Sequence, residues 1–312
     1  MMASTTAAPT ATKGTSLAQD ALKRFFRNPT ALVGLAIISF FILASLLAPV
    51  LKPYDAAKDR NLKLRLVPPS WTLTAEERER KGLEHAMSLP VGADELGRDL
   101  FTRVWHGGRI SLRVGLIAVG IAVLIGTIIG LIAGYFGGWI DTFAVWLVDI
   151  LLAFPGILLA IAIVAALGPS LTNALIAISI TQIPIYIRIT RSVVLGLRES
   201  EYVHAAKSLG STSPRIIFSH ILPNSLSPLI VQITLSIGTA ILDVAALGFL
   251  GLGAQPPDPE WGVMIRDGYR QFLKAPYMSI FPGLAIFLSV VGFNLLGDAI
   301  RDVLDPRLKN VS

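Results

Sequence analysis

The sequence predicts an all-α membrane protein of six transmembrane helices, and three observations carry that expectation. Hydrophobic residues make up 53% of the 312-residue chain and charged residues only 15%, well below the roughly 25% usual in soluble domains. Six apolar stretches are long enough to cross a bilayer: residues 31–50, 110–135, 139–167, 171–187, 225–252 and 280–300. None carries the broad charged face that a soluble helix of that length presents to water.

The elements follow in order. Residues 1–15 are mostly Ala, Thr, Ser and Pro without periodicity, a composition expected to be disordered. Residues 16–28 have an apolar side (Leu17, Leu22, Phe25, Phe26), a basic side (Lys23, Arg24, Arg27) and a Ser16–Gln19 capping box. This pattern fits an interfacial helix stopped by Pro29, or an ordinary basic flank of the first span. Residues 1–30 form a tail and 31–50 the first span, which lies too far in and is too long for a signal-peptide core. A long loop, 51–109, follows, with a solvated helix face at Glu76–Lys81. Residues 110–312 form a core of five spans. The third stretch exceeds a hydrocarbon core of about 30 Å, so it should tilt or project. Pro155 and Pro184 should kink or open their helices.

Polar residues inside spans are expensive and are therefore candidates for function: Asp149, Gln182, Gln232, Asp243 and Asn294. Asp243 either lines a pathway or gate, or makes an interhelical hydrogen bond. Asp149, nearer one end of its span, is placed to reach the headgroup region. Gly248 and Gly251, in ALGFLGLG, are expected to let helices approach closely beside the pathway.

Residues 199–224 are a polar, basic insert between two apolar stretches and read as two short helices. Ser200 is placed to cap the first, Gly210 to end it in a left-handed conformation, Ser213 to cap a second that begins at Pro214, and Pro223 to end it. Before the second span, VGADELGRDLFTRVWHGGR spaces Asp99 and Arg103 for an i,i+4 ion pair, with Phe101 and Trp105 on one face of an interfacial helix. After the fifth span, AQPPDPEWG fixes an extended connection, with Trp261 at the membrane interface.

These motifs carry a resemblance. Ala205-Ala206, Gly210 and Leu222-Pro223 are similar at matching spacing to the "EAA" loop of binding-protein-dependent ABC importer permeases. The loop's Glu falls here on His204 and its late Ile on His220, with Glu201 acidic three positions earlier. Residues 91–109 resemble the GTDxxGRD segment of the peptide and nickel branch, with Ala93 in place of Thr. Residues 246–262 and the tail 297–310 also match that branch, most like its dipeptide "C"-type subunit. The resemblance implies the type I importer permease fold. It also implies that 199–224 docks on a separate ATPase through Glu201, His204, Ala205, Ala206, Gly210, Pro214, Leu222 and Pro223. Asp94, Gly97, Arg98, Asp99, Arg103 and Trp261 then belong to an outer gate or a binding-protein contact, or else to a structural elbow feeding the second span.

The implied partners are a homologous second permease, one or two ATPases that hold ATP and Mg, an extracytoplasmic peptide-binding protein and the lipid bilayer. The implied location is the bacterial inner membrane with both termini cytoplasmic. Charge does not decide sidedness: Lys and Arg number about 12 on the implied inner side and about 14 outside, and long loops translocate largely regardless of charge.

Several chemistries find no support. There is no GxxxxGK[ST] loop for ATP phosphates, no HExxH, no nucleophile elbow and no cysteine. No catalytic, cofactor or metal residue is expected, and the chain is not expected to be an enzyme. The basic pI of about 9.7 comes from loops flanking spans, which points to anionic lipid and protein partners rather than nucleic acid. The expected activity is ATP-driven import of dipeptides or short peptides by alternating access, with nickel complexes or glutathione as alternatives. A self-sufficient secondary transporter or channel is the reading from another class. The absence of a visible inverted repeat argues against it. A membrane scaffold would need no polar or kinked spans.

Overall fold

Helix starts and stops follow local chemistry. The computed structural model describes residues 17–55, 58–85 and 87–304. The expected disorder of residues 1–15, the Ser16–Gln19 capping box and the tail beyond residue 304 lie outside the described residues. Helix α1 (Leu17–Arg27) ends before Asn28, whose side chain accepts the Thr30 N–H at 3.0 Å to start α2 (Pro29–Leu51), with Pro29 in its first turn. Leu22, Phe26 and the three basic residues of α1 are exposed.

Helix α2 buries Ala31, Gly34, Ile38, Phe41, Ser45 and Ala48, a seam with alternating steps of three and four. Its Gly34 meets the last helix, α12 (Tyr277–Leu304), so closely that a Cβ there would lie 2.8 Å from the Leu296 nitrogen. The loop that follows has a core of its own, Val67, Leu83, Leu89 and Ala93. It also holds the charged helix α3 (Ala75–Arg80), capped by a Thr74–Glu77 box.

Helix α4 (Leu100–Phe136) is longer than its apolar stretch: 37 residues, about 55 Å at 1.5 Å per residue. The segment expected as a separate interfacial helix is instead the first turns of this span. Gly126, Gly130 and Gly134 lay a smooth stripe against Tyr186, Thr190 and Val194 of α7 (Leu171–Leu197). A Cβ on these glycines would approach the facing side chains to 2.6, 2.7 and 2.8 Å. Helix α7 runs on through Pro184, which is buried within it.

The third stretch does not tilt as one helix. It breaks into α5 (Gly138–Leu152) and α6 (Gly156–Leu167), bent by 88° at a break that contains Pro155. Among the described residues there are thus five continuous helices long and apolar enough to cross a membrane, plus this bent pair. The one strand-like pairing among the described residues is an isolated Ala93–Asp99 bridge.

Candidate coupling face and translocation stripe

Two helical elements cover the ends of α4 and α7 opposite the long loop. Helix α8 (Glu201–Ser208) closes in a Schellman turn: the Gly210 N–H donates to the Lys207 carbonyl at 2.9 Å and the Ser211 N–H to the Ala206 carbonyl at 3.0 Å. Gly210 has φ +79°, the left-handed conformation expected of it. Ser200 stands at the N-cap, but its hydroxyl turns back to the Leu197 carbonyl instead of capping. The second cap falls one residue early, on Thr212, which makes no side-chain cap bond.

The second short helix is not a separate element. Helix α9 (Ser213–Ile216) passes through a single π turn (Ile217–Ile221) into α10 (Leu222–Phe249), giving one helical body from Ser213 to Phe249. Pro223 does not end the run. A proline cannot donate to the carbonyl four residues back, and the π turn re-registers the ladder around that gap. Ser225 Oγ and Asn224 Nδ2 donate to the Ile221 and His220 carbonyls at 3.0 and 2.6 Å.

The inner side of this unit is apolar. Val203, Ala206, Ile216, Ile217 and Ile221 pack with Leu131 of α4 and Val194 of α7. Its outer side presents Glu201, Tyr202, His204, Ala205 and Pro214, together with two large apolar side chains, Leu209 at 87% and Phe218 at 65% exposure. His204 stands 3.7 Å from Glu199, and the His220 ring lies 6.4 Å from that of Tyr202. Two large exposed apolar side chains amid mixed charge make this side a candidate docking face.

Along α10 four polar side chains fall on one stripe: Gln232, Ser236, Thr239 and Asp243, stepping by four, three and four. Gln232 Nε2 donates to Ser236 Oγ at 3.0 Å, and Gln182 Nε2 of α7 reaches Thr239 Oγ1 at 3.4 Å. Asp243 is half-buried, and its carboxylate has no hydrogen bond or ion pair with any described residue. The interhelical bond weighed for it is therefore not made among the described residues. Asn294 of α12 flanks the stripe across Gly238. Ser236 and Thr239 belong to the stripe through the same spacing as Gln232 and Asp243, though as small hydroxyls they are easily passed over in a span.

Three expected pathway residues lie elsewhere. Asp149 faces outward on α5, 4.0 Å from the exposed Arg188. Gly251, at φ +81°, closes α10 in a second Schellman turn, with Leu252 N–H donating to the Leu247 carbonyl at 2.8 Å. Gly248 makes room for a carboxylate: a Cβ there would lie 2.1 Å from Glu260 Oε2.

Glu260 itself had no signal beyond its place in PPDPEWG, yet it is fully buried. It caps α11 (Trp261–Tyr269), accepting the Gly262 and Val263 N–H groups at 2.8 and 3.0 Å and Ser111 Oγ at 3.1 Å. Desolvation pushes its pKa up, against the pull of these donors and of Arg266. Trp261 is not at the interface. It is fully buried and donates its indole N–H to the Val104 carbonyl at 2.8 Å.

The other outer residues are also internal. Asp94 is 1% exposed and accepts Leu96 N–H, Arg98 N–H, Arg98 Nε and Arg103 Nη1, at 2.8, 2.9, 2.7 and 2.5 Å. Gly97, at φ +71°, turns beneath the crossing segment at Asn61, whose carbonyl oxygen a Cβ would meet at 1.8 Å. The expected Asp99–Arg103 pair does not form. Asp99 caps α4 and pairs with Lys52, while Arg103 goes to Asp94. A side chain at an N-cap points to the helix start, so it cannot also reach a residue one turn on. Asp94, Gly97, Arg98, Arg103 and Trp261 thus fasten the loop onto α4 and offer no exposed contact for a binding protein.

The comparisons agree with this architecture. Residues 126–310 match the family described as binding-protein-dependent transport system inner membrane component, and residues 16–69 match the N-terminal TM domain of oligopeptide transport permease C. The chain is 53% identical over 293 residues to the dipeptide transport system permease protein DppC of Alkalihalophilus pseudofirmus, covering 94% of this chain and 90% of that one. It is 44% identical to the di/tripeptide transport system permease protein DppC of Pseudomonas aeruginosa, covering 92% and 91%. It is 45% identical to the glutathione transport system permease protein GsiD of Salmonella typhimurium, covering 92% and 89%. Among solved structures, the inward-facing MetNI methionine ABC transporter superposes with a TM-score of 0.51 at 19% identity, over 66% of this chain and 96% of that one, a likeness of fold. With residues 126–310 matching its model and a relative 53% identical over nearly the whole chain, this protein belongs to the family of inner-membrane components of binding-protein-dependent transport systems.

Proposed function

We propose that this chain is the permease subunit of an ATP-driven importer of dipeptides and other short peptides, forming half of the translocation pathway. One observation carries the reading. The α9 part of the exposed face is continuous, through the π turn, with the helical body that bears the Gln232–Asp243 stripe, and α8 is joined to it by the Gly210 turn. A displacement at the docking face therefore moves the stripe as a rigid lever, which is what a two-state, alternating-access device requires. The peptide substrate is supported by the identity to dipeptide permeases; the glutathione permeases at 45% identity support a second substrate within the same chemistry, a small peptide.

In this reading ATP and Mg sit on one or two separate ATPase subunits that grip Leu209, Phe218 and their neighbours. A homologous permease covers the open side of the stripe, and a peptide-binding protein delivers from the long-loop side. Both termini then lie in the cytoplasm, on the side of the docking face. Asp243 supplies the fixed negative charge in the pathway, placed to meet a peptide's ammonium group.

The test is uptake of labelled dipeptide by liposomes containing this chain with its co-purified subunits. Asp243→Asn is expected to assemble normally and to lower uptake about tenfold or more, the loss of one charge-assisted contact. Wild-type uptake by a normally assembled Asp243→Asn complex would remove Asp243 from the pathway. ATP-independent uptake by the chain alone would favour a self-sufficient transporter.

A further inference from the structure

On the side of α4 turned away from α10 lies a groove of about 750 Å³ between α2, α4 and the start of α7. Gly115 faces Ile241 of α10, and Arg113, two residues earlier, points to the opposite side of the helix. The groove walls are mostly apolar, including Ile42, Leu46, Leu116, Ile117 and Leu175. Arg109 and Arg113, one turn apart, line it too; both are exposed, and neither is ion-paired or hydrogen-bonded through its guanidinium to any described residue.

Their height in the bilayer is set by the chain. Residues 114–136 are 23 uncharged positions, about 34 Å of helix, enough to fill the hydrocarbon core. Arg113 thus stands at the hydrocarbon border and Arg109 one turn further out, at headgroup depth. Tyr54 lines the same groove, with its hydroxyl shielded from solvent. The Tyr54 ring lies 5.3 Å from that of His106, whose Nε2–H donates to the Lys52 carbonyl at 3.0 Å.

Two unpaired guanidiniums at the hydrocarbon border and headgroup depth, above an apolar trough, are complementary to one kind of occupant. We propose that this groove binds an anionic phospholipid of the leaflet on the long-loop side. Arg109 and Arg113 hold its phosphate, and an acyl chain lies along Leu116, Ile117 and Leu175. A peptide carboxylate fits less well, because the groove opens away from the α10 stripe and its lower walls are apolar. A zwitterionic headgroup brings a cation to a site that already holds two and offers no acid to receive it. This inference rests on the membrane reading alone and stands whatever the substrate.

The full chain, purified in mild detergent with the subunits that accompany it, is exchanged into micelles doped with phosphatidylglycerol or phosphatidylcholine. Retained lipid is then counted by native mass spectrometry. Phosphatidylglycerol is expected to be held about tenfold or more tightly than phosphatidylcholine, from two basic side chains at the surface. Arg109→Gln with Arg113→Gln should erase that preference, and the double Lys variant should keep most of it, which separates lost charge from misfolding. Ile117→Trp, filling the trough, should lower retention of both lipids, and Arg270→Gln should change nothing. Equal retention of the two lipids by wild type, or an undiminished preference in the double Gln variant, would overturn the proposal. So would displacement of the lipid by inorganic phosphate at equal concentration, or cross-linking that places a partner subunit in the groove with no lipid retained.

Discussion

Asp94→Ala should unfold the outer end of the bundle at markedly lower temperature than wild type. One carboxylate there receives four donors, and the Asp94, Arg98 and Arg103 side chains are 2%, 8% and 3% exposed. Removing the acid leaves two guanidiniums buried without a counter-charge, a class of change that costs about 3–5 kcal/mol. The comparison is Glu79→Ala, on the exposed face of α3, expected within about 0.5 kcal/mol of wild type. Asp94→Asn should fall between, since it keeps an acceptor for the backbone N–H groups but not the charge. Thermal unfolding of the detergent-solubilised chain reads the series. An unchanged midpoint for Asp94→Ala would mean the cluster does not fasten the loop.

Gly210→Val should leave the bundle intact and disable coupling. The position has open space, with no heavy atom within 4 Å of where a Cβ would stand, so crowding is not the reason. The backbone is: φ is +79°, and holding a β-branched residue there costs about 1–3 kcal/mol. Relief of that strain opens the Schellman turn and swings α8 relative to the helical body that starts at Ser213. The expected outcome is normal insertion and normal association with a partner permease, with ATPase binding or transport lost. Gly210→Asn, which tolerates the left-handed region, should restore most activity. Lys207→Ala, which removes only an exposed amine 5.4 Å over the Tyr135 ring, should do much less. Wild-type transport by Gly210→Val would refute the coupling role of this turn.

What could be read from the sequence was local. Apolar length gave the spans, and the cap-Gly-Pro pattern placed α8 and the turn at Gly210. Pro155 marked the break in the third stretch, but not its 88° bend. The stripe of Gly126, Gly130 and Gly134, which lies against α7, was not singled out from the sequence, although its spacing of four is the signal that could have found it. Pro223 misled because a proline serves equally as a helix stop and as a first-turn residue, and only the π turn before it decides which.

Long-range pairing was not legible at all. Asp99 was matched to Arg103 by helical spacing, but it caps α4 and takes its counter-charge from Lys52, 47 residues away. Trp261 was placed at the interface by residue type, whereas the close approach of Gly107 and Gly108 admits it to the core. Glu260 lies beyond sequence reading for the same reason: its donors come from α4 and α11 together, and neither segment signals the other.

A docking face at α8 and α9 that couples transport must meet a separate ATPase, and a cross-link tests that contact directly. The chain has no cysteine, so a single Leu209→Cys, at the most exposed point of that face, reports on one place only. With the co-purified complex and a short bifunctional reagent, a cross-link from residue 209 to an ATPase subunit is expected, and it should weaken sharply when Gly210→Val is added. A single Cys at exposed Met87, in the long loop at the opposite end of α4, should give no such product. Contradiction would be a residue 209 that labels freely with a small thiol reagent in the assembled, transporting complex yet never cross-links to an ATPase.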